Sequence, residues 1–322
     1  MDLAGEIKSS DIFTEEVFAS VLLVTYNQEK YVESALLSLL NQDYENLEII
    51  VSDDCSSDST WNILNQVVKS YHGPKIVILN RNTMNVGLTA NRINAFNLSR
   101  GKLIFFADGD DVSLNTRCSE CIKYWTESKV KFDLIASDGF DMAESGEVLG
   151  KKYSDDLEGL ALIDWAQRRP YIFGASFMFT RDLYDDFNKV DSRLKNEDQC
   201  FLFRAIIRQG ASRLPSSLIM HRRGGMSQLL NWKAIYRNKK DALLKSAENN
   251  LIEYHQFLND ANKLNRNDEF VTLYEHYRKH AEYGLKILTK EGFFAKLYIF
   301  FQHSNINFWK RIRYLGYALF QK

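Results

Sequence analysis

The chain has 322 residues, 45% of them hydrophobic and 26% charged, with a formal net charge of -1. That length holds one large domain or two smaller ones, and a balanced charge leaves no basic excess for nucleic acid. Three prolines form no linker, and four cysteines (Cys55, Cys118, Cys121, Cys200) are too sparse for a disulfide framework.

Residues 1–18 read as a polar leader with acids and no long apolar core, which is not a signal peptide. Ala19 to Thr25 is a short apolar, β-branched run, a buried strand, and Tyr26-Asn27-Gln28-Glu29 follows as a turn. Val32, Ala35, Leu36, Leu39 and Leu40 recur at helical spacing. Leu47 to Ser52 is the next strand and ends in Asp53-Asp54. Ser56 to Thr60 supplies helix caps before Trp61, Ile63, Leu64, Val67 and Val68. Lys75 to Leu79 is a third strand, and Asn85-Val86-Gly87 opens a helix over about 88–98. Leu103 to Phe106 is a fourth strand, ending in Asp108-Gly109-Asp110-Asp111.

This alternation is the pattern of a parallel sheet with helices on its faces. Its polar strand ends, Thr25-Tyr26-Asn27, Asp53-Asp54 and Asp108 to Asp111, gather along one rim, where open α/β sheets bind ligands. Asp108 and Asp110 can converge on one hard divalent cation, or they form a polar turn that ends the strand. No G-x-G-x-x-G follows the first strand and no G-x-x-x-x-G-K-[ST] occurs, which argues against a dinucleotide dehydrogenase or P-loop NTPase. Cys118 and Cys121 form a C-x-x-C pair in a helical pattern, with no second pair and no nearby His, so they read as helix positions and not as a zinc site.

In the second half, 133–140 reads as a strand, followed by a polar connection to about 158. Tyr171 to Phe179 is apolar around Gly174-Ala175-Ser176, which suits either close backbone approach to a ligand or a bulged strand. Glu197-Asp198 opens a helix whose Phe201, Leu202, Ala205 and Ile206 face the core; by themselves the two acids complement the helix dipole. From about 231 strand signals stop, and 231–260 and 268–290 read as helices. From Lys286 to Lys322 there are seven Lys or Arg and one acid, interleaved with large aromatics. That is the pattern of a helix lying in a membrane interface, and equally of a helical hairpin packed on the protein or on a second subunit. No apolar run of 18 residues occurs, so no spanning helix is expected, and the setting is expected to be cytoplasmic and reducing.

The ordered set Val24-Thr25-Tyr26-Asn27, Val51-Ser52-Asp53-Asp54-Cys55-Ser56-Ser57-Asp58, Asn85-Val86-Gly87 with Asn91, and Phe106-Ala107-Asp108-Gly109-Asp110-Asp111 closely resembles family-two glycosyltransferases of the GT-A fold. The resemblance is strong over about 19–112 and continues more weakly to about 228. It implies a Rossmann-like α/β GT-A domain over 19–230, with a mostly parallel sheet and helices on both faces, and a helical C-terminal region over 231–322. It implies a nucleotide-diphosphosugar donor, a UDP-sugar foremost. Thr25, Tyr26 and Asn27 would line the nucleotide pocket, and one acid of Asp53-Asp54 would bond the base while the other serves as a helix N-terminal acid. Asn85 and Gly87 would sit near the donor, with Gly87 there for close approach or for the turn. Asp108 and Asp110 would hold Mg²⁺ or Mn²⁺ on the diphosphate, with Asp111 in the same region. Asp198 would be the catalytic base and Glu197 a supporting or acceptor-binding acid.

His221-Arg222-Arg223-Gly224-Gly225-Met226-Ser227 resembles the family's Arg-x-His-x-x-Ser segment imperfectly. Aligning Arg222 and Ser227 puts Gly224 where the His falls. His221 is then either a contact to the metal or diphosphate or a structural histidine. Arg222 and Arg223 suit a diphosphate by their bidentate geometry, or are surface arginines. The activity implied is inverting transfer of a sugar to a hydroxyl of a glycan or lipid-linked glycan, in bacterial-type surface polysaccharide assembly. A sugar-phosphate nucleotidyltransferase would need a Gly-rich loop after the first strand, which is absent. An inactive nucleotide-sugar-binding or membrane-associated scaffold is the other alternative, and the oligomeric state is open.

Overall fold

The sheet is built outward from its most apolar strand, β1 (Ala19–Thr25), in which every residue is buried. The structure, a computed structural model, describes residues 16–187, 189–223, 239–266, 268–304 and 306–320. After β1 come α1 (Val32–Leu40), β2 (Leu47–Asp53), α2 (Thr60–Ser70), β3 (Ile76–Arg81), α3 (Leu88–Leu98) and β4 (Leu103–Asp108). β1 pairs in parallel with β2 on one side and with β4 on the other, and β2 pairs with β3. The chain therefore winds outward from β1 to β3, then crosses back over β1 to lay down β4. The crevice between the carboxyl ends of β1 and β4 is a topological switch point.

Beyond β4 the sheet is mixed. It continues through β5 (Val112–Ser113), α4 (Arg117–Glu127), β6 (Leu134–Met142), β7 (Val148–Lys152), α5 (Leu162–Gln167), β8 (Met178–Thr180), α6 (Arg181–Asp185), α7 (Glu197–Ile207) and β9 (Ala211–Arg222). The order is β3-β2-β1-β4-β8-β6-β9-β5, with β7 beside β6. β8 is antiparallel to β4 and β6, and β9 is parallel to β6. The parallel character expected for the sheet thus belongs to its β3-β2-β1-β4 half. The stretch over Gly174-Ala175-Ser176 is a 3-10 turn leading into β8, in place of the bulged strand considered.

Successive strand side chains point to opposite faces, and β1 feeds two cores. Val21 and Leu23 pack with α1, α2 and α4 on one face. Leu22 and Val24 pack with α3, α5 and α7 on the other. The second core does not stop at the expected boundary near 230, which falls among residues outside the described set. The helices α8 (Lys239–Lys263) and α9 (Glu269–Thr289) contribute Phe257, Leu258, Ala261, Phe270 and Tyr274 to it, around Trp165 and Phe203. A smaller third core joins α9 to α10 (Phe293–Gln302) and α11 (Phe308–Phe320).

Cys118 and Cys121 lie on the buried face of α4, and burial pushes both thiols up to about 12. Cys200 is also buried and shifted upward, first by burial, while Cys55 is partly exposed. A thiolate is the species that reacts or ligates. With a disulfide-exchange reagent at pH 8, Cys55 alone is expected to react quickly, the other three only after unfolding in guanidinium. Fast labelling of Cys118 or Cys121 in the native chain would contradict the placement of α4.

Candidate active site

The registers set three strand ends side by side. Thr25 of β1 lies opposite Asp53 of β2, and Val24 opposite Asp108 of β4. Asn27 follows with φ of 50°, a left-handed turn that Asn tolerates. Its side-chain oxygen accepts from the Ser57 N–H at 2.8 Å and its own N–H donates to Ser56 Oγ at 2.9 Å. The turn after β1 is thereby tied to the turn after β2. Thr25 is buried and bonds Gln28, and Tyr26 is half-buried at the same edge.

The two acids ending β2 have different partners. Asp53 is fully buried, accepts from the Ser56 backbone N–H and hydroxyl, and pairs with Arg81 at 3.2 Å. Asp54 is buried and accepts from the Asn82 side chain and from the N–H groups of Val86 and Gly87, at 2.8–2.9 Å. One carboxylate thus closes its own turn, and the other anchors the 82–87 loop. Asn85 is exposed on that loop. Gly87 has φ of +90°, and nothing lies within 4 Å of where its Cβ would be, so conformation and not close approach within the chain calls for glycine.

Gly109 is the opposite case. A Cβ there would stand 2.4 Å from Gln28 Oε1 and 2.9 Å from Thr25 Cβ. The middle residue of Asp108-Gly109-Asp110 must be glycine because the turn after β1 passes directly over it. Asp108 is partly exposed and pairs with Arg92 of α3 at 2.5 Å through one oxygen. Asp110 is half-buried, and among the described residues no other residue donates to its carboxylate. Burial and then the neighbouring Asp108 raise its pKa. Asp111 is buried and accepts from the Arg222 N–H at 2.9 Å, and burial followed by Asp108 and Asp110 raises it strongly. Two adjacent carboxylates, one without a protein donor beyond its own amide, fit a divalent cation completed by water and phosphate oxygens. Among the described residues no group of three or more His, Cys, Asp or Glu would hold a metal alone.

β9 brings its end to the same place through β5, with Val112 opposite Met220. Arg222 is buried, and its guanidinium bonds the carbonyls of Asp110, Ala143 and Glu144 at 2.9–3.1 Å and stacks 4.4 Å over Tyr31. It is thus not a surface arginine, and it braces the acidic turn from behind. Arg223 pairs with Asp141, and His221 Nδ1 lies 3.5 Å from the same carboxylate. Gly224 and Ser227 lie outside the described residues.

Glu197 and Asp198 open α7 on the far side of the crevice. Glu197 is buried and is held by Arg92 and by the Thr89 hydroxyl at 3.1 Å. Asp198 is half-buried, with Gly174 packed against it: a Cβ on Gly174 would meet Asp198 Oδ2 at 3.4 Å. Burial raises the pKa of both acids; the Gln199 N–H, 2.7 Å from Asp198, and Arg92 oppose this at Asp198. Arg92 itself is the residue that sequence reasoning missed. It is 4% exposed, bonds Asp108 and Glu197 at once, and its guanidinium lies 4.6 Å over the Phe106 ring. Burial lowers its pKa, but Asp108 and Glu197 outweigh this and the net shift is upward. Its signal was a charged residue at i+3 from Thr89 and i−4 from Phe96, on the inward face of α3.

A doubly wound sheet carries paired carboxylates at its switch point and a second carboxylate pair across the crevice. The profile of Glycosyl transferase family 2 matches residues 20–187. The chain belongs to that family. The match ends before Glu197. An Escherichia coli protein, UDP-Glc:alpha-D-GlcNAc-diphosphoundecaprenol beta-1,3-glucosyltransferase WfaP, is 33% identical over 113 residues, 35% of this chain and 43% of that protein. The chain spans less than half the length of the curated relatives it matches first. Among solved structures, S. aureus TarS 1–349 in complex with UDP-GlcNAc aligns over 94% of this chain and 76% of its own, at 21% identity and a TM-score of 0.57. A mannosyltransferase from Pyrobaculum calidifontis, in complex with GDP-Man and Mn²⁺, aligns over 96% of this chain and 89% of its own, at 13% identity and a TM-score of 0.52. At these identities the structures establish the shared fold.

Overpacking a tight contact costs about 1–3 kcal/mol. Gly109→Ala is expected to lower the urea-unfolding free energy by about that amount and to weaken Mn²⁺ binding, measured on the same samples. Unchanged stability would show that the Thr25–Gln28 turn does not pack on Gly109.

Proposed function

We propose that the chain is an inverting glycosyltransferase that moves a sugar from a nucleotide-diphosphosugar to an acceptor hydroxyl. The observation that carries this is the Arg92 bridge, which joins Asp108 of the acidic turn to Glu197 beside Asp198. Donor-side and acceptor-side carboxylates therefore share one crevice. Thr25, Tyr26, Asn27 and the Asp53-Asp54 pair border the nucleotide end, with Asn85 and Gly87 on the adjoining loop. A divalent cation, Mg²⁺ or Mn²⁺, held by Asp108 and Asp110 would neutralise charge building on the departing diphosphate. Asp198 takes the proton from the acceptor hydroxyl. Its raised pKa makes it a better base than an ordinary aspartate. Glu197 is too buried to meet an acceptor and holds the start of α7. The UDP-GlcNAc ligand of the TarS complex and the name of the E. coli relative support a UDP-sugar donor. That name also supports a lipid-linked acceptor in surface glycan assembly.

The test is metal-dependent hydrolysis or transfer across UDP-, GDP- and dTDP-sugars. One donor is expected to be consumed, with Asp110→Ala and Asp198→Asn each lowering the rate by about 10²-fold or more. Because the folded pKa of Asp198 is raised, its base form is lost as pH falls through a value above the usual aspartate range near 3.9. The acid limb of kcat/KM should therefore lie above that range. An acid limb at ordinary aspartate pH, or full activity of Asp198→Asn, removes Asp198 as base.

A lipid-linked acceptor calls for contact with a membrane at its cytoplasmic face, and we assign that contact to 292–322. Phe294 is 83% exposed, Trp309 74% and Phe301 70%. Phe301, Phe300, Phe308 and Trp309 form a continuous chain of ring contacts at 5.2–6.0 Å, linking α10 to α11 through the buried Phe300. No described helix is long and apolar enough to span a membrane, so these would lie in the interface plane. Charge counts for less than the sequence implied. Lys296 bonds the Ala318 carbonyl, and Arg311 is buried against Phe300. Combined Phe294→Ser, Phe301→Ser and Trp309→Ser is expected to release the chain from sedimenting anionic liposomes, while 0.5 M salt, at which the screening length is only about 4 Å, releases little. A triple variant that still sediments like wild type excludes this face.

A further inference from the structure

Between the two carboxylate pairs of the crevice lies a buried cation of the protein's own, Arg92. Arg92 is bonded by one nitrogen to Asp108 and by the other to Glu197, and its Nε has no partner. Thr89, one turn earlier on α3, reinforces the Glu197 end and also bonds the Leu194 carbonyl at 2.7 Å. Asp108 is at the same time a carboxylate that the proposed function gives to a divalent cation. Guanidinium and metal would therefore share one carboxylate, and two cations on a single anion repel across a few ångströms of partly buried space.

We propose that Arg92 is a positioning residue that competes with the divalent cation for Asp108 and transmits its binding to α7. Without metal, the guanidinium neutralises Asp108 and draws it toward Glu197. With metal on Asp108 and Asp110, the Asp108 end of the bridge is weakened and Arg92 stays with Glu197. The body of α7 is held by Arg204 and Asp260, so what changes with donor loading is the Glu197 carboxylate on its first turn and the placement of the Asp198 side chain beside it. The cost is a weaker metal site than two free carboxylates would give. This rests on the metal reading of Asp108 and Asp110 given above.

The test is Mn²⁺ titration of the full chain by calorimetry, without donor, for wild type, Arg92→Lys and Arg92→Gln, followed by kcat and KM with Mn²⁺ and donor. Lysine keeps the buried charge but cannot hold both carboxylates in one plane, so it preserves a testable protein if Arg92→Gln does not fold. The expected result is Mn²⁺ binding tighter by about three- to tenfold in Arg92→Gln, and by a smaller factor in Arg92→Lys. A fall in kcat with little change in donor KM should accompany it. A residue that merely supports the fold would lower stability and leave metal affinity equal or weaker. Equal or weaker Mn²⁺ binding in the folded variants overturns the inference while leaving the metal site standing. Wild type that binds no Mn²⁺, alone or with UDP, overturns both.

Discussion

Everything at the carboxyl edge of this sheet follows from the need to keep many carboxylates close together. Asp53, Asp54, Asp108, Asp110, Asp111, Glu197 and Asp198 come from three strand or helix ends, and burial of a charge is costly unless it is paired. The protein meets this need individually. Arg81 and Ser56 serve Asp53, backbone N–H groups serve Asp54, the Arg222 N–H serves Asp111, and Arg92 serves both Asp108 and Glu197. What remains are Asp110 and Asp198, whose carboxylates accept chiefly from backbone N–H groups at their own positions or the next. Those two are the carboxylates that we propose meet molecules from outside, one a cation and one a hydroxyl.

The same logic ties the C-terminal helices to the chemistry. One face of α8 presents Glu253, Gln256 and Asp260 at helical spacing. Glu253 takes Arg169 and the Asn196 side chain, Gln256 accepts from the Asp191 N–H at 2.9 Å, and Asp260 pairs with a fully buried Arg204 at 2.7 Å. Asn196 and Asp191 lie in the segment just before Glu197, and Arg204 is on α7 itself. Removing one partner of a buried pair costs about 3–5 kcal/mol, although the intact pair adds little net stability. The value of such a pair is geometric: it fixes α7, and so Asp198, against a helix that lies beyond the glycosyltransferase segment in sequence. α8 and α9 are part of the scaffold that holds the proposed base and not an appendage to it.

Much of this was legible in the sequence. The parallel half of the sheet has strands and helices with unambiguous periods, and the acidic strand ends could only lie at an edge. The antiparallel half was harder, because β8 is three residues long and is preceded by a 3-10 turn with no period of its own. Asp108, Asp110 and Asp198 stood out by residue type and position. Arg222 did not reveal its role, since three main-chain carbonyls as its partners leave no trace in a sequence. Arg92 left a trace that only tertiary structure makes readable: a buried-face arginine implies a buried acid, but not which one. The C-terminal bases were misleading for the same reason, because Lys296 and Arg311 turn inward to carbonyls.

The two readings of Glu197-Asp198, helix-dipole acids and the catalytic pair we propose, are compatible in one arrangement. A helix N-terminus favours the ionised form of a carboxylate, and the Gln199 N–H at Asp198 acts in that sense. Burial acts against it and prevails, so both acids hold protons more tightly than usual. Glu197 gains Arg92 as a permanent partner and is withdrawn from solvent. Asp198, one residue on, points past Gly174 into the crevice with only a backbone donor and a more distant guanidinium to steady its charge. Adjacent positions on one helical turn thus separate into a paired structural anion and the carboxylate we propose as base, and the buried arginine is what divides them.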